Sequence, residues 1–479
     1  MEWCAQGLTA GWFSAPGAEA ARMVFQRGLA ALYLVAFWCA RTQFRALLGT
    51  RGMLPVPEFV RGVRFARAPS LFHWHYSDRA FAAVCGVGLV VSLGLLLGGG
   101  DRVPLGVSMA GWLLLWALYL SIVNVGQVWY AFGWESLLLE AGFLAVFLGN
   151  ADTAPPVLVL WLLWWLLFRV EFGAGLIKWR GDRCWRELTC LYYHHETQPM
   201  PGPLSWYFHR LPAPLHRAEV LGNHVAQLLV PPALFLPQPV ASVAAGIMIV
   251  TQLWLVASGN FAWLNWLTLL LAFTALDTSA WAGDRAHPPT PDWFALLVYG
   301  LTATVLVLSY RPVRNLLSPR QRMNRSFDAL RLVNSYGAFG SVTRVRREIV
   351  IEGTDDPEPG EDTVWREYEF RGKPGDPARR PRQFAPYHLR LDWLMWFAAL
   401  SPAYGSGWFP ALVRRLLAGD PDTLRLLRVN PFPDAPPARV RALLYRYRFT
   451  TRAERRERGT WWDRTLVRVH LPPTGPGQD

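Results

Sequence analysis

VLVLWLLWWLLFRVEFGAGLIKWRGDRCWRELTCLYYHHETQPMPGPLSWYFHR, Val157 to Arg210, decides the fold class. It opens as an apolar run of about 20 residues, enough to cross roughly 30 Å of hydrocarbon as a helix. At Lys178 it turns into a loop dense in charge, histidine, cysteine and aromatic residues. Similar windows begin near Gly28, Phe81, Pro104, Val128, Val225, Val240, Phe261 and Trp293, so about nine transmembrane helices are expected. The Val225 and Phe261 windows are interrupted by Pro231, Pro232, Asn260 and Asn265. The whole chain agrees: 52% of its 479 residues are hydrophobic and 25 are Trp, with a mean hydropathy of +0.15, and the excess is clustered. The first twenty residues hold Glu2 and Glu19 and no basic stretch, so no removable signal peptide is read there.

Two regions follow. Residues 1–310 form a multi-span helical membrane body that includes the 180–220 loop, and residues 311–479 a soluble tail, with the basic stretch RPVRNLLSPRQRMNR as a collar between them. In the tail, 340–352 and 364–370 alternate as strands around the acidic turn DDPEPGED, while 439–450 and 461–471 read as further strands. The helical spacing of 409–427 breaks at Gly419 and Pro421. The tail is expected to be a β-rich α+β domain that folds as a separate unit.

The net charge of +13 raises the possibility of nucleic acid, but no recognition motif accompanies the loop and tail arginines, so no nucleic-acid partner is expected. Arg51, Arg61, Arg64, Arg67 and Arg79, Arg180, Arg183, Arg186, Arg210 and Arg217, and the tail all share one side of a nine-span protein. The positive-inside rule alone makes that side cytoplasmic.

Three motifs carry a family resemblance: RGDRCW at 180–185, ETQPMP at 196–201 and SGNFAWLNWLT at 258–268. With GWESLLLEAGFL at 133–144 and NPFPDAPPARVRALLYRYRFT at 430–450, they make nearly the whole chain resemble the lipase maturation factor family. The resemblance implies a membrane-embedded folding factor, with membrane lipid and secreted client proteins such as lipases as partners. It places loop and tail on the lumenal side of the endoplasmic reticulum membrane, or on the outer face of a bacterial inner membrane. Folded domains translocate despite their charge, so this orientation is preferred. On that reading Arg180, Asp182, Arg183, Trp185, His194, His195, Glu196, Gln198 and Trp206 make the client-facing loop. The prolines stiffen it into an extended form, with Trp206, Tyr207 and Phe208 as an aromatic rim at the membrane surface.

A shorter segment, AGLIKWRGDRCW at 174–185, is similar in pattern to the lysine-bearing segment of vitamin K-dependent γ-carboxylases and their bacterial relatives, from which it departs by the RGDRC insert. That resemblance implies an alternative, an intramembrane enzyme acting on a lipid-soluble substrate through Lys178, Glu171 and His195. Glu171 and Lys178 do fall on one stripe of their helix, two turns apart. An ion pair with a snorkelling lysine gives the same pattern.

Glu135 and Glu140 stand about 140° apart on their helix and call for different partners, among them Arg169, Asn223 or Asn265. With His224, Gln227 and Asn260 these residues make an intramembrane polar network. Of the five cysteines, Cys4, Cys39 and Cys85 read as packing residues. Cys184 and Cys190 share a polar loop, either as a disulfide on an oxidising side or as two separate buried thiols. His194, His195 and Glu196 lack metal-ligand spacing, so neither a metal nor a cofactor is expected.

Overall fold

A helix that is apolar all round has only two homes, lipid or the interior of a larger bundle. The computed structural model, which describes residues 11–281 and 287–477, uses both. In chain order the bundle comprises α1 (Glu19–Leu47), α2 (Asp78–Leu96), α3 (Leu105–Val125), α4 (Gly133–Ala145), α5 (Val157–Arg180), α6 (Leu191–Thr197), α7 (Ala213–His224), α8 (Val240–Ser258), α9 (Leu264–Phe273) and α10 (Asp292–Leu317). Six of these, α1, α2, α3, α5, α8 and α10, are long and apolar enough to cross a membrane. The protein is thus a multi-pass integral membrane protein.

Among the described residues six helices are long enough for a span, where about nine were expected. The Val128 window yields only the 13 residues of α4. The Phe261 window yields the 10 residues of α9, about 15 Å of rise and half a bilayer. In the Val225 window α7 passes into a π-helical turn, Val225–Leu229, and then a 3-10 turn over Pro231–Phe235, because two successive prolines withdraw two amide donors from the ladder.

Two faces gather the helix ends. At one, Gln43 on α1 donates to the His388 carbonyl at 2.8 Å, Asn124 on α3 to the Ala329 carbonyl at 3.1 Å, and Arg180 on α5 to the Leu316 carbonyl at 2.8 Å. At the other, Gln26 reaches the Gly149 carbonyl, Asn150 the Val103 carbonyl and Gln238 the Ala275 carbonyl. Residues 49–77, 181–212, 259–263 and the tail therefore share the first face.

The tail holds β1 (Arg346–Thr354), β2 (Arg366–Phe370), helices α11 (Arg390–Leu400) and α12 (Phe409–Leu417), then β3 (Leu427–Val429), β4 (Arg439–Phe449) and β5 (Trp462–Thr474). The strands form one antiparallel sheet in the order β3-β2-β1-β4-β5. The strand pair around the acidic turn stands as expected, with Ile351 opposite Tyr368, and α12 stops before Gly419, whose φ of 60° needs a residue without a Cβ. Helix α11 was not legible as a stripe because LDWLMWFAAL is apolar on nearly every side.

The border expected near residue 310 falls inside a helix, and the tail packs on the bundle. Helix α10 runs on to Leu317, and Ile349, Ile351, Trp393 and Met395 lie in the same buried cluster as Phe37, Tyr119 and Trp134 of the bundle. The tail is packed as an extension of the membrane body. Cys4 lies outside the described residues.

Candidate functional site

The loop after α5 is fixed by its own chemistry. The Asp182 carboxylate accepts from the Cys184 amide at 3.1 Å, and Cys184 and Cys190 are joined by a disulfide with Cα atoms 4.9 Å apart. Trp185 donates its indole N–H to the Phe339 carbonyl at 2.9 Å, and the Asp182 amide bonds the Gly340 carbonyl at 2.8 Å. A Cβ on Gly181 would meet that same carbonyl at 2.1 Å, so only glycine permits this approach.

Farther along, the loop interlocks with the sheet. Trp206 donates to the Thr450 carbonyl at 2.9 Å, Arg346 to the Glu196 carbonyl at 3.0 Å, and the Phe449 amide to the Glu196 carboxylate at 2.6 Å. Asn260 joins the same seam, donating to the Arg382 carbonyl at 2.9 Å and accepting from the Phe384 and Ala385 amides.

These contacts change how the expected client residues can act. Trp185, His194, His195, Gln198 and Trp206 are buried, while Arg180 and Arg183 are exposed and Asp182 and Glu196 half-buried. Residues Ser205–His209 are helical, not extended, and Trp206 packs edge-on against Trp461. The expected aromatic rim is thus reduced to Tyr207, which is exposed, and the half-buried Phe208.

Beneath the loop lies the intramembrane site. Lys178 and Glu171 share a helix stripe but are bridged by a third residue: the Lys178 amine donates to the Gln227 amide oxygen at 2.9 Å, and Gln227 donates to Glu171 at 3.0 Å. Asn223 accepts from Lys178 at 3.1 Å, and Gln252 donates to Glu171 at 2.6 Å. The Trp185 ring lies 5.1 Å from the amine. Each charge is therefore held by neutral amides, which disperse it while keeping both residues buried. Gln227 sits in the π-helical turn, a distortion common where a helix serves a site. His224 sits beside this group but bonds outward, to the Trp185 carbonyl at 3.0 Å.

This network lines a cavity of about 1650 Å³ that also takes in His194, Asn265, Phe339 and Trp393 and widens among the apolar side chains of α7 and α8. The Asn265 amide nitrogen is buried without a hydrogen-bond partner.

Two further charge clusters tie bundle to tail. Arg169 pairs with Glu140, whose carboxylate also accepts from Asn334 and from Tyr336 at 2.7 Å. Arg390 of α11 pairs with Glu135 at 2.7 Å and donates to the Trp129 carbonyl at 2.7 Å. The two glutamates thus do take separate partners, and that of Glu135 comes from the far end of the chain. Neither is met by Asn223 or Asn265.

With this geometry in hand, the comparisons with known proteins are specific. A model of the lipase maturation factor transmembrane domain matches residues 20–283, and one of the lipase maturation factor C-terminal domain matches residues 332–472. The chain belongs to the lipase maturation factor family. It is 41% identical to lipase maturation factor 1 of Mus musculus over 94% of this chain and 86% of the relative, and 40% identical to that of Homo sapiens over 94% and 87%. Lipase maturation factor 2 of Homo sapiens is 30% identical over 96% of this chain and 83% of its own. No solved structure matches. Between them the two lipase maturation factor domains contain Lys178, Glu171, the disulfide loop, Asn334 and Arg390, so the tethered bundle and tail both fall within family-matched sequence.

Sequence reasoning missed Gln252, Arg390, His216 and Glu219 in this family member. Gln252 and Arg390 carry no local signal, since each meets its partner only through the fold. His216 and Glu219 do carry one, a spacing of three on a helix, which places both on one face of α7.

Proposed function

We propose that the protein is a membrane-embedded maturation factor for secreted lipases, working from the face that carries the 181–212 loop and the tail. The observation that carries this reading is the near full-length similarity to proteins named lipase maturation factor, across both membrane and tail regions. The client-facing surface is built from what the interlocked loop and sheet leave exposed. It includes β5, an edge strand with exposed Leu466, Val467 and Val469. Such an edge offers unpaired backbone groups to an extended segment of a partly folded partner.

The short segments α4, α7 with its turns, and α9 complete nine passages between the two faces. Loop and tail then face the lumen of the endoplasmic reticulum, or the outside of a bacterial inner membrane. A disulfide in the 181–212 loop supports this orientation, because such bonds persist on oxidising sides of membranes. A single cysteine placed in the 355–361 turn should label from outside intact spheroplasts; labelling only after lysis overturns the orientation.

The function is tested in cells lacking their own maturation factor, by expressing this chain with a secreted lipase and measuring lipase activity per lipase protein in the medium. Recovery of specific activity supports the reading, and unchanged activity with the protein present in the membrane defeats it.

The second reading, an enzyme acting on a lipid-soluble substrate, is favoured by the large cavity with Lys178 and Glu171 on its wall. Against it, the amine is engaged by two amide oxygens. Lys178→Met decides between them. A structural lysine gives a less stable protein whose lipase-maturing activity falls only with the amount folded, and Glu171→Gln then restores much of the loss. A catalytic lysine gives a stable protein with no function and no rescue.

A further inference from the structure

His195 on α6, and His216 and Glu219 on α7, converge beneath the disulfide loop. Their donor atoms all lie within 4.8 Å of one another. The Glu219 Oε2 atom is 3.6 Å from His195 Nε2 and 3.8 Å from His216 Nδ1, too far for hydrogen bonds. Both ring nitrogens of His195, Nδ1 of His216 and Oε2 of Glu219 are buried without a hydrogen-bond partner. Three converging groups left in that state are costly, since each loses water and keeps only the long contacts across the cluster.

The surroundings hold the set in place. The Trp254 indole donates to Glu219 Oε1 at 2.6 Å, leaving Oε2 free to face the histidines. Tyr192 packs against the His216 ring at 5.9 Å and Phe208 against the His195 ring at 5.5 Å, both between ring centres. A carboxylate oriented by a second residue, with imidazoles fixed by packing, is how proteins aim metal ligands.

We propose that His195, His216 and Glu219 bind a divalent transition-metal ion. Two imidazoles and one carboxylate are a zinc donor set, with the fourth position of the tetrahedron left for water or a partner's side chain; iron(II) accepts the same donors. Around a four-coordinate zinc with bonds near 2.0–2.1 Å, ligand atoms stand about 3.3 Å apart. The carboxylate stands 3.6 and 3.8 Å from the two imidazoles and no pair of donors is more than 4.8 Å apart, so side-chain rotations that draw the three together by up to about 1.5 Å close the set. The disulfide keeps Cys184 and Cys190 out of the ligand set, because the thiolate is the form that binds metal. The pattern is H-x-x-E on α7 completed by a histidine from α6, which explains why spacing alone did not show it. Glu219 lies on the wall of the same cavity as Lys178 but shares none of its amide partners, and the site does not depend on which client the protein serves.

The test uses the full-length protein, purified in detergent through a tag without histidines. Metal analysis should find about one zinc or iron per chain in the wild type, and less than about a tenth of that in His216→Ala and in Glu219→Gln. Chelation should lower the thermal midpoint of the wild type, and added Zn²⁺ should restore it. Neither treatment should move the midpoint of the variants, a readout that holds even where a variant starts less stable. Co²⁺ loaded in place of zinc should give the strong visible bands of a four-coordinate ion in the wild type only. A wild type without metal whose midpoint ignores Zn²⁺ overturns the proposal, as does equal metal binding by the variants.

Discussion

Helices α2 and α5 are both apolar enough to span a bilayer, yet they face different solvents. In the most apolar stretch of α2, 22% of residues are buried inside the protein, against 61% in α5. Apart from Asp78 and Arg79 at its start, α2 carries no charge, whereas α5 carries Arg169, Glu171 and Lys178, all buried, with Arg169 on the face opposite the other two. Hydrophobicity put both helices in the membrane; the buried charges mark α5 as core, although α3 is equally buried with none. Because lipid tails are as apolar as leucine, a lipid-facing side chain gains little from its exact shape, whereas a buried ion pair depends on one partner.

The largest effect is therefore expected where a buried charge would be stranded. Arg390→Ala leaves Glu135 buried in a cluster with Tyr119 and His388, and should cost about 3–5 kcal/mol, seen as a large drop in the thermal midpoint in detergent. Arg390→Met combined with Glu135→Gln should recover most of it, since neither charge remains. A single variant as stable as wild type would break the contrast between α2 and the tethered core.

Next comes pH. Burial first, and then the Arg390 guanidinium beside it, push His388 down to about 4 from 6.5. Between those values the unfolded chain binds a proton that the folded one refuses, so stability rises with pH through this window and falls as pH drops toward 4. The share lost is on the order of 3 kcal/mol. Buried Asp392, raised to about 6, works in the opposite sense, so the measurement is the difference between wild type and His388→Asn. The variant should show the flatter fall in thermal midpoint from pH 7 to pH 4.5.

A smaller effect is expected at the seam of loop and sheet. Trp206→Phe keeps an aromatic ring but removes the indole N–H bond to the Thr450 carbonyl, which Arg210 still satisfies, for about 1 kcal/mol from that bond. The smallest belongs to α2: Val90, 72% exposed toward lipid, should tolerate Ala within about 0.5 kcal/mol. A loss at Val90 comparable to that at Trp206 would mean that α2 packs against another protein surface.

Much of the fold was legible where one side chain period dominated. Alternation of side chains gave the pairing of β1 with β2 and the long strands β4 and β5, although β1 is buried on both faces and β5 is largely exposed. It failed for α11, buried on almost every side, and for α4, α7 and α9, where an apolar window says nothing of where the helix breaks inside it. The site was legible by residue type and not by exposure. Charge within an apolar run marked Glu171, Lys178, Glu135 and Glu140, since such residues need partners. That Trp206 turns inward depends on Thr450 and Trp461, more than 240 residues downstream, and that His195 does so depends on how α6 folds against α7, neither of which a local pattern contains.

The Glu135–Arg390 pair also sets a clock. Its members lie 255 residues apart, and at roughly 5–20 residues per second a ribosome needs tens of seconds to connect them. Throughout that interval Glu135 has the Tyr119 hydroxyl but not its guanidinium, and any chain that terminates before residue 390 never gains it. The finished molecule thus differs from any such fragment in the charge balance of its core.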